Sequence, residues 1–321
     1  MTKCQDIGCS ERLKTPVVFL VFNRPDTTEQ VFAAIRQAQP ETLLLVADGP
    51  RADRPGEAEL CTKVRGIIEQ IDWPCRVLKN YSDINMGCKG RVSSGLDWVF
   101  SAVEEAIILE DDCLPHPDFF PFCQEMLARY RDDERIMMVG GTNYLVDRLH
   151  VPESYVFSRY FPIWGWATWR RAWQQYDLTM SNWPRFKEEE QLRGFYADGF
   201  MRRFLTSSFD GAYYGRINTW DIQWFFACLV NNGLSIVPAR NMISNIGTVG
   251  AHAGGYSANN FFKTFPCEVD NLVHPVFVSP NQLHERLFFK EQFKVHPTSI
   301  ARSLKAFAQK RARQIWPGSG R

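Results

Sequence analysis

Four things are missing from the 321-residue chain, and each absence narrows what it can be: a long apolar run, a charge bias, paired cysteines and an internal repeat. Its apolar runs, of which Val17–Phe22 is one, fall far short of the roughly 20 residues that span a bilayer as a helix. Residues 1–15 are polar and mixed in charge, so no secretory signal is read there. With 37 basic against 36 acidic residues, the formal net charge of +1 carries no electrostatic footprint for nucleic acid. The nine cysteines form no C-x-x-C pair and no metal-ligand spacing with histidine. Their odd number points to a reducing compartment, and the protein is expected in the cytoplasm.

Aromatic side chains, by contrast, are plentiful, at 14% of residues with ten Trp and twenty-four Phe. A core that uses Phe absorbs most of them, and the remainder are available to line a carbohydrate site.

The first half alternates buried strands with helices. Val17–Phe22 reads as a strand, and Asn23-Arg24-Pro25-Asp26 opens a helix to about Gln39, with Pro25 at its first position. Leu43–Ala47 reads as a second strand ending in Asp48-Gly49-Pro50, Glu57–Gln70 as a helix, and Cys75–Lys79 as a third strand. A loop, Asn85–Arg91, precedes a helix from about Ser93 to Val103 and leads to the strand Ala106–Leu109. Continuous apolar strands separated by helices predict an α/β fold, a mostly parallel, Rossmann-like sheet flanked by helices on both faces. Ligands of such sheets sit outside the carboxyl ends of the strands, where Arg24, Asp48 and Glu110-Asp111-Asp112 all fall.

The triplet is the feature that asks for chemistry. Carboxylates beside a core are costly unless compensated, and a divalent cation compensates them. Hard oxygen ligands suit Mg²⁺ or Mn²⁺, with positions left open for diphosphate oxygens. The bland reading is a solvated loop, or the N-terminus of the helix that follows Pro115-His116-Pro117-Asp118.

The second half, from about residue 141, is rich in aromatic residues, with Trp164, Trp166, Trp169 and Trp173 in RYFPIWGWATWRRAW and Trp220 and Trp224 in TWDIQW. Residues 240–260 are rich in Gly, Ser and Asn and read as a loop or lid.

The segments TPVVFLVFNRPDTTEQVF, VADGP, AIILEDDCLPHPDFF, FPIWGWATWRRAW and TWDIQW, in this order, resemble the nucleotide-sugar glycosyltransferases of the GT-A fold. The likeness is strongest to N-acetylglucosaminyltransferase I and extends to family-2-like bacterial transferases of cell-surface polysaccharides. It spans roughly residues 16–262. The resemblance implies a GT-A domain over residues 16–283, with a nucleotide-sugar half (16–140) and an acceptor half (141–283), between an extension (1–15) and a basic helical tail (284–321). It implies a nucleoside-diphosphate sugar donor, UDP favoured, and a glycan, lipid-linked or other hydroxyl acceptor. By position, Arg24 would approach the donor's nucleotide and phosphates, and Asp48 the edge of uracil. Glu110 would bond sugar hydroxyls, Asp111 the ribose, and Asp112 the metal, Mn²⁺ or Mg²⁺. Asp221 falls where the family keeps its general base, although Ile222 stands where the resembled enzyme has a second acid.

Two readings of Asp221 stand side by side. As a base it would take the acceptor hydroxyl's proton in an inverting transfer; as an N-cap it would start the helix near Ile222. His252, in GTVGAH, could ligate the metal from a mobile loop or be an incidental surface histidine. Trp164 and Trp166 could offer an acceptor sugar a stacking platform, with core packing the rival role. The tail carries Arg302, Lys305, Lys310, Arg311 and Arg313, with no acid after Glu291. An amphipathic helix there predicts peripheral contact with anionic membrane at the inner face.

Rival functions are a non-catalytic carbohydrate-binding protein, which would not need the acids, and a nucleotide-sugar hydrolase. A pyrophosphorylase would want a glycine-rich basic loop after the first strand, and Phe22-Asn23-Arg24-Pro25 lacks one.

Overall fold

The computed structural model describes residues 12–247 and 263–295. His252, the tail beyond residue 295 and the first eleven residues, all singled out above, lie outside the described residues.

In chain order the first half holds β1 (Val17–Val21), α1 (Pro25–Ala38), β2 (Thr42–Ala47), α2 (Glu57–Ile68), β3 (Arg76–Tyr81), α3 (Gly87–Ala102) and β4 (Glu105–Glu110). Next come β5 (Cys113–Pro115), α4 (Phe119–Arg129) and β6 (Ile136–Gly140). The second half adds β7 (Tyr155–Ser158), β8 (Trp166–Trp169), α5 (Arg170–Trp173), α6 (Trp183–Glu188), α7 (Leu192–Phe195) and α8 (Gly199–Tyr213). It continues through α9 (Asp221–Val230), β9 (Leu234–Pro238) and β10 (Ile243–Asn245) to α10 (Gln282–Val295).

Eight strands form one sheet in the order β3-β2-β1-β4-β8-β6-β9-β7, and β10 pairs with β5 in a small second sheet. The four strands β3, β2, β1 and β4 are mutually parallel; β1, β2 and β4 carry the apolar runs of such a sheet, while β3 (RVLKNY) is a half-exposed edge strand. Along β1 the side chains alternate between two cores. Val17, Phe19 and Val21 meet α1, α2 and α4 on one face. Val18 and Leu20 meet α3, α5 and α9 on the other. The sheet is therefore doubly wound and buried on both sides, an α/β Rossmann-like fold.

The sheet is mostly parallel, as the sequence predicts, and two details go beyond that expectation. The first is that β8 enters antiparallel between β4 and β6, and β7 closes the edge antiparallel to β9. The second is that α3 starts at Gly87, a full turn before Ser93. The cause is Asp48, whose carboxylate accepts from the Met86 and Gly87 N–H groups at 2.9 and 3.1 Å. A carboxylate so placed supplies orphan helix donors with an acceptor, so the expected loop becomes a first turn.

Among the described residues no helix is long and apolar enough to cross a membrane. The described cysteines are free thiols, with Cys61, Cys113, Cys123 and Cys228 buried.

Candidate active site

Register fixes the site. Val21 pairs with Ala47 and Leu20 with Glu110, so β1, β2 and β4 end at nearly one level, and their following residues share one crevice. Arg24 sits at the N-cap of α1, held there by Pro25 at the start of the helix and by the Thr28 hydroxyl, which donates to the Arg24 carbonyl at 2.6 Å. Its guanidinium reaches across to β4. One nitrogen donates to Asp112 Oδ2 at 2.8 Å and the other to Asp111 Oδ1. Burial alone would lower the arginine's pKa, but the charges of Asp111 and Asp112 outweigh it and hold it raised.

One cation does not neutralise three acids. Burial, followed by the charges of Asp112 and Asp111, raises the pKa of Glu110 far above the carboxylate range. Asp111 is 3% exposed, and burial pushes its pKa up to about 6 against the pull of Arg24. Its second oxygen, Oδ2, is buried without a hydrogen-bond partner. A buried carboxylate oxygen left unpaired is unfavourable, and the cluster as a whole still calls for positive charge.

Asp48, 5% exposed, is saturated by its surroundings. Besides Met86 and Gly87, it accepts from the Gly49 N–H at 2.9 Å and from Asn85 Nδ2 at 3.0 Å. The approach of residue 84 to Gly49 is so close that a Cβ there would lie 2.5 Å from the Ile84 backbone carbon. Asp48 thus builds the loop beside the crevice with both oxygens engaged.

Asp221 begins α9, with Trp220 at the N-cap position. Its Oδ1 accepts from the Ile222 N–H at 2.9 Å and from the Thr219 hydroxyl. Among the described residues Oδ2 accepts no hydrogen bond. α9 leads into β9, which runs toward the crevice, so Asp221 at the start of α9 lies at the crevice end of the sheet, and Asn218 just before it comes within 4.0 Å of a Cβ built at Gly87. Cys88 stands in the first turn of α3. Its thiol pKa is raised, by local desolvation first and then by the charges of Glu110 and Asp221, although the residue reaches the surface. Nothing in the sequence marked Cys88; its place follows from α3 starting early.

The small sheet brings in the segment that leads to His252. Asn245 pairs with Cys113, the Ile246 N–H donates to the Asp112 carbonyl at 2.8 Å, and Gly247 lies against the Asp112 carboxylate and Arg24. A Cβ at Gly247 would stand 3.0 Å from the Arg24 guanidinium. Residue 247 is therefore part of the site wall.

The tryptophans separate. Trp166 is fully buried, stacked on Trp220 at 5.6 Å and flanked by Trp224 at 5.7 Å and Trp173 at 6.4 Å. No face of its ring is left for an acceptor sugar, which corrects the platform role for this residue: core packing claims it. Trp164 is partly exposed. It lies just before β8, beyond the pairing of Trp166 with Ile108, and so on the crevice side of the sheet.

Among the described residues no three His, Cys, Asp or Glu side chains converge as a closed metal cage would require. Asp112, which is partly exposed, offers one carboxylate at the end of β4. That suits a cation bound through one or two carboxylates and completed by substrate phosphates.

No family model matches the chain, and no curated protein matches its sequence. Comparison of structures finds similarity to a mannosyltransferase from Pyrobaculum calidifontis in complex with GDP-Man and Mn²⁺, at 16% identity and a TM-score of 0.34. That match covers 50% of this chain and 45% of the mannosyltransferase, so less than half of that protein's length is matched. An apo UDP-glucose pyrophosphorylase is similar at 9% identity and a TM-score of 0.34, over 72% of this chain and 93% of that one. Mouse xyloside xylosyltransferase 1 in its apo form follows at 9% identity and 0.30, over 67% and 81%. Likeness at this level says nothing about activity, and the functional reading rests on the site.

Proposed function

We propose that the chain is a metal-dependent glycosyltransferase that takes a sugar from a nucleoside-diphosphate donor, UDP favoured, and delivers it to a hydroxyl acceptor with inversion. The observation that carries this reading is the acid triplet at the end of β4, with Asp111 and Asp112 clamped by Arg24 and Asp221 at the same end of the sheet.

Asp112, with Asp111 beside it, would hold Mn²⁺ or Mg²⁺, which when bound neutralises charge on the diphosphate leaving group. Arg24 adds a second positive charge at the same place and orients both carboxylates. Glu110, desolvated on the floor of the crevice, faces the sugar hydroxyls. Asp48 shapes the base-binding loop through residues 85–87 and reads the uracil edge only by exchanging one of its present donors. Asp221 is held in one orientation through Oδ1, and its Oδ2 is left to receive the acceptor proton. Asp221 is the first residue of α9 and not its cap, so one oxygen is spent on local bonds to Ile222 and Thr219 and the other is left for the base role. Trp164 lines the acceptor side, and His252 would join the metal from the segment that continues past Gly247. An acceptor on a lipid carrier would fit the basic tail, which we assign to peripheral contact with anionic membrane.

A thermal-shift panel of UDP-, GDP- and dTDP-sugars with and without Mn²⁺ tests the donor half of the proposal, because a true donor stabilises the folded chain by mass action. A UDP-sugar is expected to raise Tm only with the metal. No shift with any nucleotide sugar would overturn the reading. Product analysis with water alone against sugar acceptors then separates transfer from hydrolysis.

A further inference from the structure

A cavity of about 920 Å³ opens beside α9, away from the acid triplet. Its rim includes Leu234, the first residue of β9, which pairs with Ile136 at the start of β6. Both strands run from there toward the crevice, so this rim lies at the opposite end of the sheet from the acid triplet. One stripe of α9 forms the wall: Gln223, Phe226, Ala227 and Val230, the spacing of a single helix face.

Gln223 is the unexpected member. It is 0% exposed, yet neither its amide nitrogen nor its amide oxygen has a hydrogen-bond partner. A buried primary amide with both ends unpaired is unfavourable, and such groups in folded proteins ordinarily find a partner. A group that donates and accepts at once, such as a hydroxyl, satisfies both ends.

The arginines that line the cavity are already paired, and the carboxylates of Asp177 and Glu189 line it as well, so its charges do not favour an anion. Arg159 gives Nε and Nη2 to Glu285, at 3.0 and 2.6 Å, and Nη1 to the Phe195 carbonyl at 2.6 Å. Arg135 is engaged by Asp133 and Arg185 by Glu189. Every arginine of the lining therefore already has its counter-charge. Exposed amides remain, Asn182 and the Oδ1 of Asn231, whose Nδ2 is given to the Ala227 carbonyl at 2.8 Å, and the partly exposed Phe186 and Phe195 offer an apolar surface beside them. Amides for hydroxyls and a ring for C–H faces are the requirements of an uncharged sugar. The volume lies near the top of the roughly 300–1,000 Å³ range of small-molecule sites, enough for more than one sugar unit.

We propose that this cavity is a second binding site for a neutral oligosaccharide, with Gln223 as its deepest polar contact. It holds a glycan away from the reaction centre and does not depend on which nucleotide the crevice takes.

The test is calorimetric titration of the full chain with neutral malto-, manno- and chito-oligosaccharides, and with acidic oligogalacturonates. The proposal expects at least one neutral series to bind. Affinity should fall by about tenfold or more in Gln223→Leu and in Asn231→Ala, the loss expected when a buried hydrogen bond or a ligand contact is removed. Nucleotide-sugar binding, measured in parallel with Mn²⁺, should stay unchanged in both variants. Its failure in the wild type would count against the transferase reading and not against this one. Asn231 is exposed at the rim, so its variant decides the matter if Gln223→Leu fails to fold. Absence of neutral-oligosaccharide binding, tighter binding of the acidic series, or affinities unaltered by either substitution would each overturn the proposal.

Discussion

Both halves of the molecule bury aromatic rings, but the first also gathers buried charge at the ends of its strands. The half up to residue 140 buries charge where β1, β2 and β4 end: Asp48, Asp111 and most of Arg24 lie in its crevice. The half beyond it buries rings, with Trp166, Trp173, Trp220 and Trp224 in mutual contact on one face of the sheet. Carboxylates forced together with one arginine between them cost stability and are retained for what they bind. Tryptophans stacked against each other contribute stability and hold the elements that carry the site. Substitutions in the first half should therefore cost activity and spare the fold, and those in the second should do the reverse.

The largest effect is expected at Asp112. Asp112→Ala should lower turnover on the order of 10³-fold or more, because metal-borne charge stabilisation is worth several kcal/mol. Asp112 is partly exposed, so its removal should leave the fold intact. Chelation of the wild type should mimic the variant, and Mn²⁺ should restore only the wild type. Turnover that persists in exhaustive chelator would break the comparison at its first term.

Asp221 stands in the second half but belongs functionally to the first. Asp221→Asn keeps an Oδ1 acceptor for Ile222 and Thr219, so Tm should hardly move. The amide cannot take a proton, and kcat should fall by about 10²–10⁴-fold with donor affinity retained. An NMR assignment of the product's anomeric configuration completes the test. A retained configuration, or a near-normal kcat, would reduce Asp221 to its local bonds.

Trp166 makes the converse case. Trp166→Ala removes a fully buried ring and should destabilise the chain by about 3–5 kcal/mol in urea unfolding. Donor affinity per folded molecule should be unchanged. A normal unfolding curve together with a raised acceptor KM would instead put the ring in the site.

These contrasts also explain what could be read from the residues alone. Unbroken apolar strands such as Val17–Val21 announce a sheet buried on both faces, and the residues after them must then meet at one end. That much puts Arg24, Asp48 and the triplet at one end of the sheet from the residues alone. The position of β8 was not legible, because WATW is four residues long and its partners, β4 and β6, are set by long-range pairing. The burial of Trp166 follows from that pairing, and so escaped too. The true start of α3 depended on a carboxylate nearly forty residues earlier, which no local helix signal encodes. Gln223 escaped for a similar reason, since a glutamine within an apolar helix reads as one more polar residue until its surroundings are known.

The smallest effect is one of pH, and it too has opposite signs in the two halves. His284 in α10 is 2% exposed, and burial holds its pKa down at about 4. Its ring lies 6.2 Å from that of Phe288, and its Nδ1 has no hydrogen-bond partner. Unfolded, a histidine titrates near 6.5. As pH falls from about 6.5 to about 4, the unfolded chain takes a proton that the folded chain refuses, so the folded state loses stability across that window. The full loss is on the order of 3 kcal/mol, from a shift of two to three pKa units at about 1.4 kcal/mol each. Asp111 pushes the other way: its raised pKa lets the folded state hold a proton that the unfolded chain has released, so acidification toward pH 4 stabilises the fold there. A single pH scan of the wild type mixes the two. The difference between wild type and His284→Leu isolates one, because leucine keeps the site apolar and removes only the titration. Urea midpoints measured from pH 7.5 to 4.5 should fall more steeply in the wild type than in the variant, with the two curves diverging below about pH 6.5. Parallel curves throughout would mean that the imidazole reaches solvent when protonated, and that the docking of α10 on the second half is looser than its buried contacts require.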